Sequence, residues 1–190
     1  MNRALRPRVL SCKHPVFLRI DGSARPAVAF TITADEGGSS MTVESLNRQR
    51  VLHLLDTFAR GDIEAALACC TDDVDFLTHA PIDVLPHMVP RHGKAELREL
   101  WQTIWSRYSE VRYKAPHIVA EGDAVATYMH TYFTKRSNDR IVQFDIAVFY
   151  TFRDGRVTQI REVIDSFDLV QQVLERDVVA ILAEARPDKT

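Results

Sequence analysis

The apolar positions of this chain change period near its middle, from helical spacing to alternation, and that change sets the fold class. From Thr42, Val43, Leu46, Val51, Leu54, Leu55 and Phe58 recur at helical spacing until Gly61 supplies a stop. Asp62 is then placed to N-cap a short second helix with Ile63, Ala66, Leu67 and Cys70 on its buried stripe, ended by Thr71-Asp72-Asp73. A short first strand is predicted over residues 74–78, after which Pro81, Pro86 and Pro90 impose an irregular loop as far as Gly93. Leu97, Leu100, Trp101, Ile104, Trp105 and Tyr108 form the stripe of a third helix, with a large aromatic area on one face.

Alternating segments follow at 111–119, 123–134, 140–152 and 156–167, separated by Glu121-Gly122, by residues 135–139 and by Arg153-Asp154-Gly155. Such short polar connections make antiparallel meanders, because a parallel crossover takes a dozen residues or more. Val170, Val173, Leu174, Val178, Ile181 and Leu182 mark a closing helix from Leu169. Helices followed by a run of strands predict an α+β fold, with helices segregated on one face of a curved antiparallel sheet.

Residues 1–40 show no sustained period and contain Pro7, Pro15, Pro26 and the run Gly37-Gly38-Ser39-Ser40. They are expected to be a poorly ordered extension, within which residues 27–33 suit a short strand or a stunted signal-peptide core. The domain is expected over 41–186, with 187–190 as a tail.

Composition narrows the function. With 190 residues, 46% hydrophobic and 26% charged, the chain has material for one sizeable core. Residues 1–40 carry six Lys/Arg against three Asp/Glu, and the remainder eighteen against twenty-three, so the main body is mildly acidic. No basic stripe is present to track phosphates, which argues against nucleic acid. No run approaches the roughly 20 apolar residues that span a bilayer, so no integral membrane segment is expected. Cys12 and the adjacent Cys69 and Cys70 make neither a zinc spacing nor a disulfide framework, and fit a reducing cytoplasm. No nucleophile elbow, phosphate loop or dinucleotide fingerprint occurs, and no cofactor is expected.

Several stretches, in this order and spacing, resemble one family: Phe58-Ala59-Arg60-Gly61-Asp62, Thr71-Asp72-Asp73-Val74, His92-Gly93-Lys94, and Asp154-Gly155-Arg156-Val157 followed by Arg161-Glu162-Val163-Ile164-Asp165. Together they are similar to the nuclear transport factor 2-like superfamily, SnoaL-like branch, from about Thr42 to Asp168. The resemblance implies a cone, in which three helices and a bent sheet enclose an apolar cavity for a hydrophobic small molecule. It also implies a homodimer through the outer sheet face.

Alternation divides the strands. Tyr128, His130 and Tyr132 share one face and Met129, Thr131 and Phe133 the other; Val142, Phe144, Ile146, Val148, Tyr150 and Phe152 oppose Gln143, Asp145, Ala147 and Phe149. A three-residue loop at Arg153-Asp154-Gly155 would set Ala147 opposite Arg161, Asp145 opposite Val163 and Gln143 opposite Asp165, and centring the preceding loop on Ser137-Asn138 sets His130 opposite Asp145. Either face can be the inner one on pattern alone. The resemblance favours the polar set as cavity lining, leaving the apolar face for the subunit interface.

A carboxylate in an apolar cavity has its pKa raised toward neutrality and suits proton transfer at pH 7. Asp165, set among Val163, Ile164 and Phe167, is the candidate acid/base, with His130 as partner or proton donor. In SnoaL-like polyketide cyclases the corresponding last-strand aspartate carries that role. Tyr128, Tyr132, Gln143, Asp145, Arg161, Trp101 and Trp105 are the candidate substrate-binding groups. Asp165 as a helix cap, or as a surface partner of Arg161, is the structural alternative.

Three better-defined relatives differ. Leu54, Thr78 and Ala147 stand where ketosteroid isomerases need a tyrosine, an aspartate base and a buried aspartic acid. Tyr128 and His130 stand where limonene epoxide hydrolases place an Arg-x-Asp pair, although Asp165 matches their last aspartate. Scytalone dehydratases share only a loose likeness through Tyr128, Tyr132, His130 and Asp165 or Asp145. His79, His87 and His92, with Asp83, follow no recognised metal-ligand spacing, and their loop is expected to be a lid or rim. The function expected is proton-transfer catalysis of cyclase, isomerase or dehydratase type on a hydrophobic carbonyl compound. The alternative is a non-catalytic ligand-binding or dimerisation module of the same fold.

Overall fold

The computed structural model describes residues 41–184. Readings placed on residues 1–40 and on the tail lie outside the described residues. The elements are α1 (Val43–Ala59), α2 (Ile63–Ala68), β1 (Cys70–Thr78), β2 (Arg91–His92), α3 (Gly93–Arg107), β3 (Tyr108–Glu121), β4 (Ala124–Lys135), β5 (Ile141–Arg153), β6 (Arg156–Ile164), α4 (Ser166–Leu174) and α5 (Val178–Glu184). They form an α+β structure with one six-stranded sheet in the order β2-β1-β6-β5-β4-β3.

The sheet is mixed rather than wholly antiparallel. The four long strands form the expected meander, but β1 runs parallel to β6, because the whole meander separates them in the chain. The β5–β6 register also corrects the three-residue loop. Asp154 and Gly155 both take positive φ, 52° and 75°, and close a two-residue turn of the kind that matches strand twist. An irregularity beyond it leaves Thr158 outside the pairing. Ala147 therefore faces Val163 and Phe149 faces Arg161, one side-chain repeat from the expected pairing. His130 opposite Asp145 is as expected.

The inner face is the apolar one. Val125 and Met129 on β4, and Val142, Ile146, Val148, Tyr150 and Phe152 on β5, are all buried with Leu54, Phe58, Leu97, Leu100 and Trp101 of the helices. Each such side chain gains about 1.5–3 kcal/mol from leaving water, so burying this face outweighs any arrangement that puts Tyr128, His130 and Asp145 inside. Helix α1 packs on β3 and β4, and α3 on β1 and β3. The two helices meet through Phe58, edge-on to Trp101 at 5.2 Å and to Trp105 at 6.2 Å, and Trp105 Nε1 donates to the Phe58 carbonyl at 3.1 Å.

The expected closing helix is broken. Glu175 terminates α4 in the left-handed conformation, and Lys135, Asn138 and Arg140 from the β4–β5 connection hold its carboxylate. Leu169 of α4 is buried, whereas α5 buries no residue and leaves Val179, Ile181 and Leu182 exposed. Because β6 ends at Ile164, opposite Ile146, β5 has a free edge beyond it. The Gln172 side chain covers that edge, accepting from the Gln143 N–H at 2.8 Å and donating to its carbonyl.

One buried polar residue ties α1 to the sheet. Asn47, 1% exposed, donates to the Gly122 carbonyl in the β3–β4 turn at 3.1 Å and accepts from Arg50 at 2.8 Å. Replacing Asn47 with Ala strands the carbonyl and removes the bridge. The urea midpoint should fall by the equivalent of about 1–3 kcal/mol without a change in m value.

Candidate functional site

A cavity of about 90 Å³ lies between the inner sheet face and the helices, with room for several waters or a small organic ligand. Leu54, Leu55 and Phe58 of α1, Trp101 and Ile104 of α3, and Met88 of the proline-rich loop form one side. Tyr113, Met129, Thr131, Phe133, Phe144, Ile146, Val148, Tyr150, Ile160, Glu162 and Ile164 form the other. The loop serves as a rim, as expected: Leu85 is buried, and Ala80, Val84 and Met88 pack against the core.

Glu162 is the only acidic residue in that lining, and no Lys or Arg side chain joins it there. Its position follows from strand phase. Ile160, Glu162 and Ile164 alternate inward along β6, and Glu162 lies opposite Val148 on β5 and Thr78 on β1. Burial disfavours the carboxylate and pushes its pKa up to about 7; proximity to the Thr78 hydroxyl draws it partly back. Thr78 Oγ1 is itself shut off from solvent and makes no hydrogen bond of good geometry, so the carboxyl is incompletely paired. The Tyr113 and Tyr150 hydroxyls are raised above the ordinary tyrosine range, by burial first and then by neighbouring charge that includes Glu162. Both are protonated donors at pH 7. One carboxyl that can take or give a proton thus stands near two phenols that keep their protons and can donate to an oxygen.

The structure distributes the sequence-derived candidates differently. Trp101 lines the cavity, while Trp105 serves the α1–α3 contact. Tyr128, His130, Tyr132, Gln143, Asp145 and Arg161 lie on the outer sheet face, which corrects their assignment as cavity lining: the apolar phase of β4 and β5 takes the inside. Three of them form a cluster. His130 Nδ1 lies 2.5 Å from Asp145 Oδ1, and the Tyr128 hydroxyl donates to Oδ2 of the same carboxylate. The Tyr128 bond and then the His130 bond lower the Asp145 pKa. Arg161 donates to the Asp75 carbonyl at 2.9 Å and to its carboxylate, while Tyr132 sits beneath the Arg112 and Lys114 cations.

Asp165 is not in the cavity. It is exposed, directly after β6, and is the N-cap of α4, its Oδ1 accepting from the Asp168 N–H at 3.3 Å. The predicted strand to residue 167 thus ends at Ile164, because a carboxylate there satisfies the first turn of the helix. Glu162, Tyr113 and Tyr150 carried no role in the sequence reading. The available signal was a charged residue in phase with Ile160 and Ile164.

Among the described residues, no group of three or more His, Cys, Asp and Glu side chains is arranged to hold a metal ion, and no helix is long and apolar enough to cross a membrane.

One curved, mixed six-stranded sheet with helices packed on its apolar face is the cone-shaped nuclear transport factor 2-like fold. Within that class the chain belongs to the SnoaL-like domain family, whose model matches residues 51–160. Among solved structures, a provisionally described isomerase from Rhodopseudomonas palustris is 28% identical, with 71% of this chain and 100% of that chain covered and a TM-score of 0.62. A provisionally described SnoaL-like polyketide cyclase from Jannaschia sp. CCS1 is 15% identical over 72% of this chain and 97% of its own, TM-score 0.61. An LEH-like epoxide hydrolase from M. tuberculosis is 20% identical over 74% and 98%, TM-score 0.59. The latter two likenesses concern the fold alone. No significant match was found among curated proteins.

The position of Asp165 yields a paired test. Asparagine caps a helix as well as aspartate, so Asp165→Asn should leave thermal stability nearly unchanged, whereas Asp165→Ala should cost about 0.5–2 kcal/mol. A thermal or urea melt of both variants checks this ordering.

Proposed function

We propose that the cavity binds a small hydrophobic carbonyl compound and that Glu162 moves a proton on it, in a cofactor-independent reaction of isomerase, cyclase or dehydratase type. The single observation that carries this reading is the Glu162 carboxyl inside an apolar cavity, where burial pushes its pKa up to about 7. At neutral pH such a group is divided between its two forms, which suits it to act as base and then as acid in one turnover. In the forward step the carboxylate removes a proton from the carbon next to the carbonyl, and the electron pair moves onto the carbonyl oxygen. Tyr113 and Tyr150 donate hydrogen bonds toward that oxygen, and protonated Glu162 returns the proton at a second position. Glu162 takes the role expected of Asp165, three residues earlier in the chain and on the inner face of β6.

The names carried by structural neighbours, an isomerase, a polyketide cyclase and an epoxide hydrolase, support a ligand-binding cavity of this kind. Two further proposals accompany it. A homodimer through the outer sheet face is supported by the exposure of Val119, Phe149 and Val163, which otherwise leave apolar area in water. A reducing, cytoplasmic setting is supported by the free thiols of Cys69 and Cys70.

The experiment is Glu162→Gln, followed by stability against pH and by turnover. The folded protein holds the Glu162 proton more tightly than the unfolded chain, so the wild type loses stability as pH rises from about 4.5 through 7. The charged form costs the fold on the order of 3 kcal/mol above that window. Glu162→Gln should be more stable than wild type by about 1–3 kcal/mol at pH 8 and equal to it near pH 4. Its kcat on any carbonyl compound the wild type converts should fall at least about a hundredfold. Tight binding without conversion, unaffected by Glu162→Gln, would assign the chain to the non-catalytic alternative.

A further inference from the structure

Beside the Met88 wall of the cavity stand two arginines and a histidine that the proton-transfer chemistry does not use. His87 precedes Met88 in the rim loop. Arg91 begins β2 and donates from a terminal nitrogen to the His87 carbonyl at 3.3 Å. Arg107 ends α3, three residues beyond Ile104 and so on the same side of the helix as that lining residue. The charges of Arg107 and Arg91 both act on the His87 imidazole, which burial first and these charges second push down to about 4, so it is neutral at pH 7.

The group lacks a counter-charge. His87 Nδ1 and Arg91 Nε are both shut off from solvent without a hydrogen-bond partner. Neither Arg91 nor Arg107 has an ion-pair partner among the described residues. A partly desolvated guanidinium without an anion is costly, and one left incompletely bonded marks a place where an anion belongs.

We infer that His87, Arg91 and Arg107 form an anion site at the cavity rim, and that the ligand is an apolar molecule carrying a carboxylate, its body in the cavity and its acid group on these side chains. The inference rests on the reading of the cavity as a ligand site and adds the charge of the ligand to it. The geometry favours a carboxylate over a phosphate. Pro81, Pro86 and Pro90 have no N–H to offer, and the N–H groups of Val84, Leu85 and Met88 are spent on turns of the loop itself. Fewer backbone donors are thus left for a phosphate, and an arginine fork with a neutral imidazole donating as its Nδ1–H tautomer suits the two oxygens of a carboxylate.

The test compares 4-phenylbutanoate with its neutral isostere 4-phenylbutanamide, by calorimetry and NMR on the full chain at pH 7.5. The acid should bind about tenfold more tightly than the amide. Arg107→Gln, at an exposed position, should remove most of that preference and leave the amide unchanged; Arg91→Gln should act likewise. Raising salt should weaken only the acid, and the His87 ring ¹⁵N signals should move with the acid and not with the amide. Equal affinities overturn the anion site, as does an acid preference that survives both arginine substitutions, or a failure of both ligands to bind at millimolar concentration. The cavity reading has its own readout, a shift of the Glu162 carboxyl ¹³C signal with the amide alone. If that signal stays still while the arginine-dependent preference persists, the acid/base role falls and the anion site stands; the converse result separates them the other way.

Discussion

The rest of the structure depends on removing the inward phase of β4 and β5 from water. Val125, Met129, Val142, Ile146, Val148, Tyr150 and Phe152 can be covered only by another apolar surface, and the stripes of α1 and α3 supply it. Once that face is inside, strand phase decides the site. Glu162 follows Ile160 inward and meets Val148 and Thr78, and its carboxyl is desolvated because the neighbours that solvate it least are those that hold the fold together. The protein thus carries a destabilising group at the centre of its most stabilising contact, which is the arrangement expected where chemistry, rather than stability, sets the residue.

The outer face shows the opposite physics. Within reach of water, Tyr128 and His130 are bonded to Asp145, and Arg161 separately to Asp75. Their mutual bonds hold the Asp145 pKa down, whereas the isolation of Glu162 pushes its value up. Two carboxylates on adjacent strands therefore differ in proton affinity through surroundings alone. A charged cluster of this kind is a poor neutral-pH base but a good framework for a surface, and it lies beside exposed Phe149 and Val163.

Much of the fold was legible because it rests on local signals. The helical stripes of α1 and α3, the Asp154-Gly155 turn and the alternation of β4 and β5 are written over many residues, and each agrees with its neighbours. The parallel β1–β6 contact was not legible, since no local pattern encodes a pairing between strands so distant in the chain. The site is less legible for a related reason. Alternation separates two faces without saying which is inside, and a family resemblance drew the polar set inward against the stronger tendency of Val142 to Phe152 to be buried. Asp165 is conspicuous among apolar residues, yet the same surroundings mark a strand end followed by an N-cap. Glu162 was the better signal, because it interrupts an apolar phase in mid-strand, where no cap can explain it. The break in the closing helix at Glu175 is not legible in the sequence because it depends on Lys135, Asn138 and Arg140, which approach only in the folded chain.

The most direct measurement is the pKa of Glu162 itself, by ¹³C-detected titration of the carboxyl signals of the resting protein, with Glu162→Gln supplying the assignment. A Glu162 midpoint near 7, well separated from the exposed glutamates, is predicted. A midpoint in the ordinary glutamate range, about 4 to 5, would show that the carboxyl is solvated and would contradict a desolvated acid/base in this cavity.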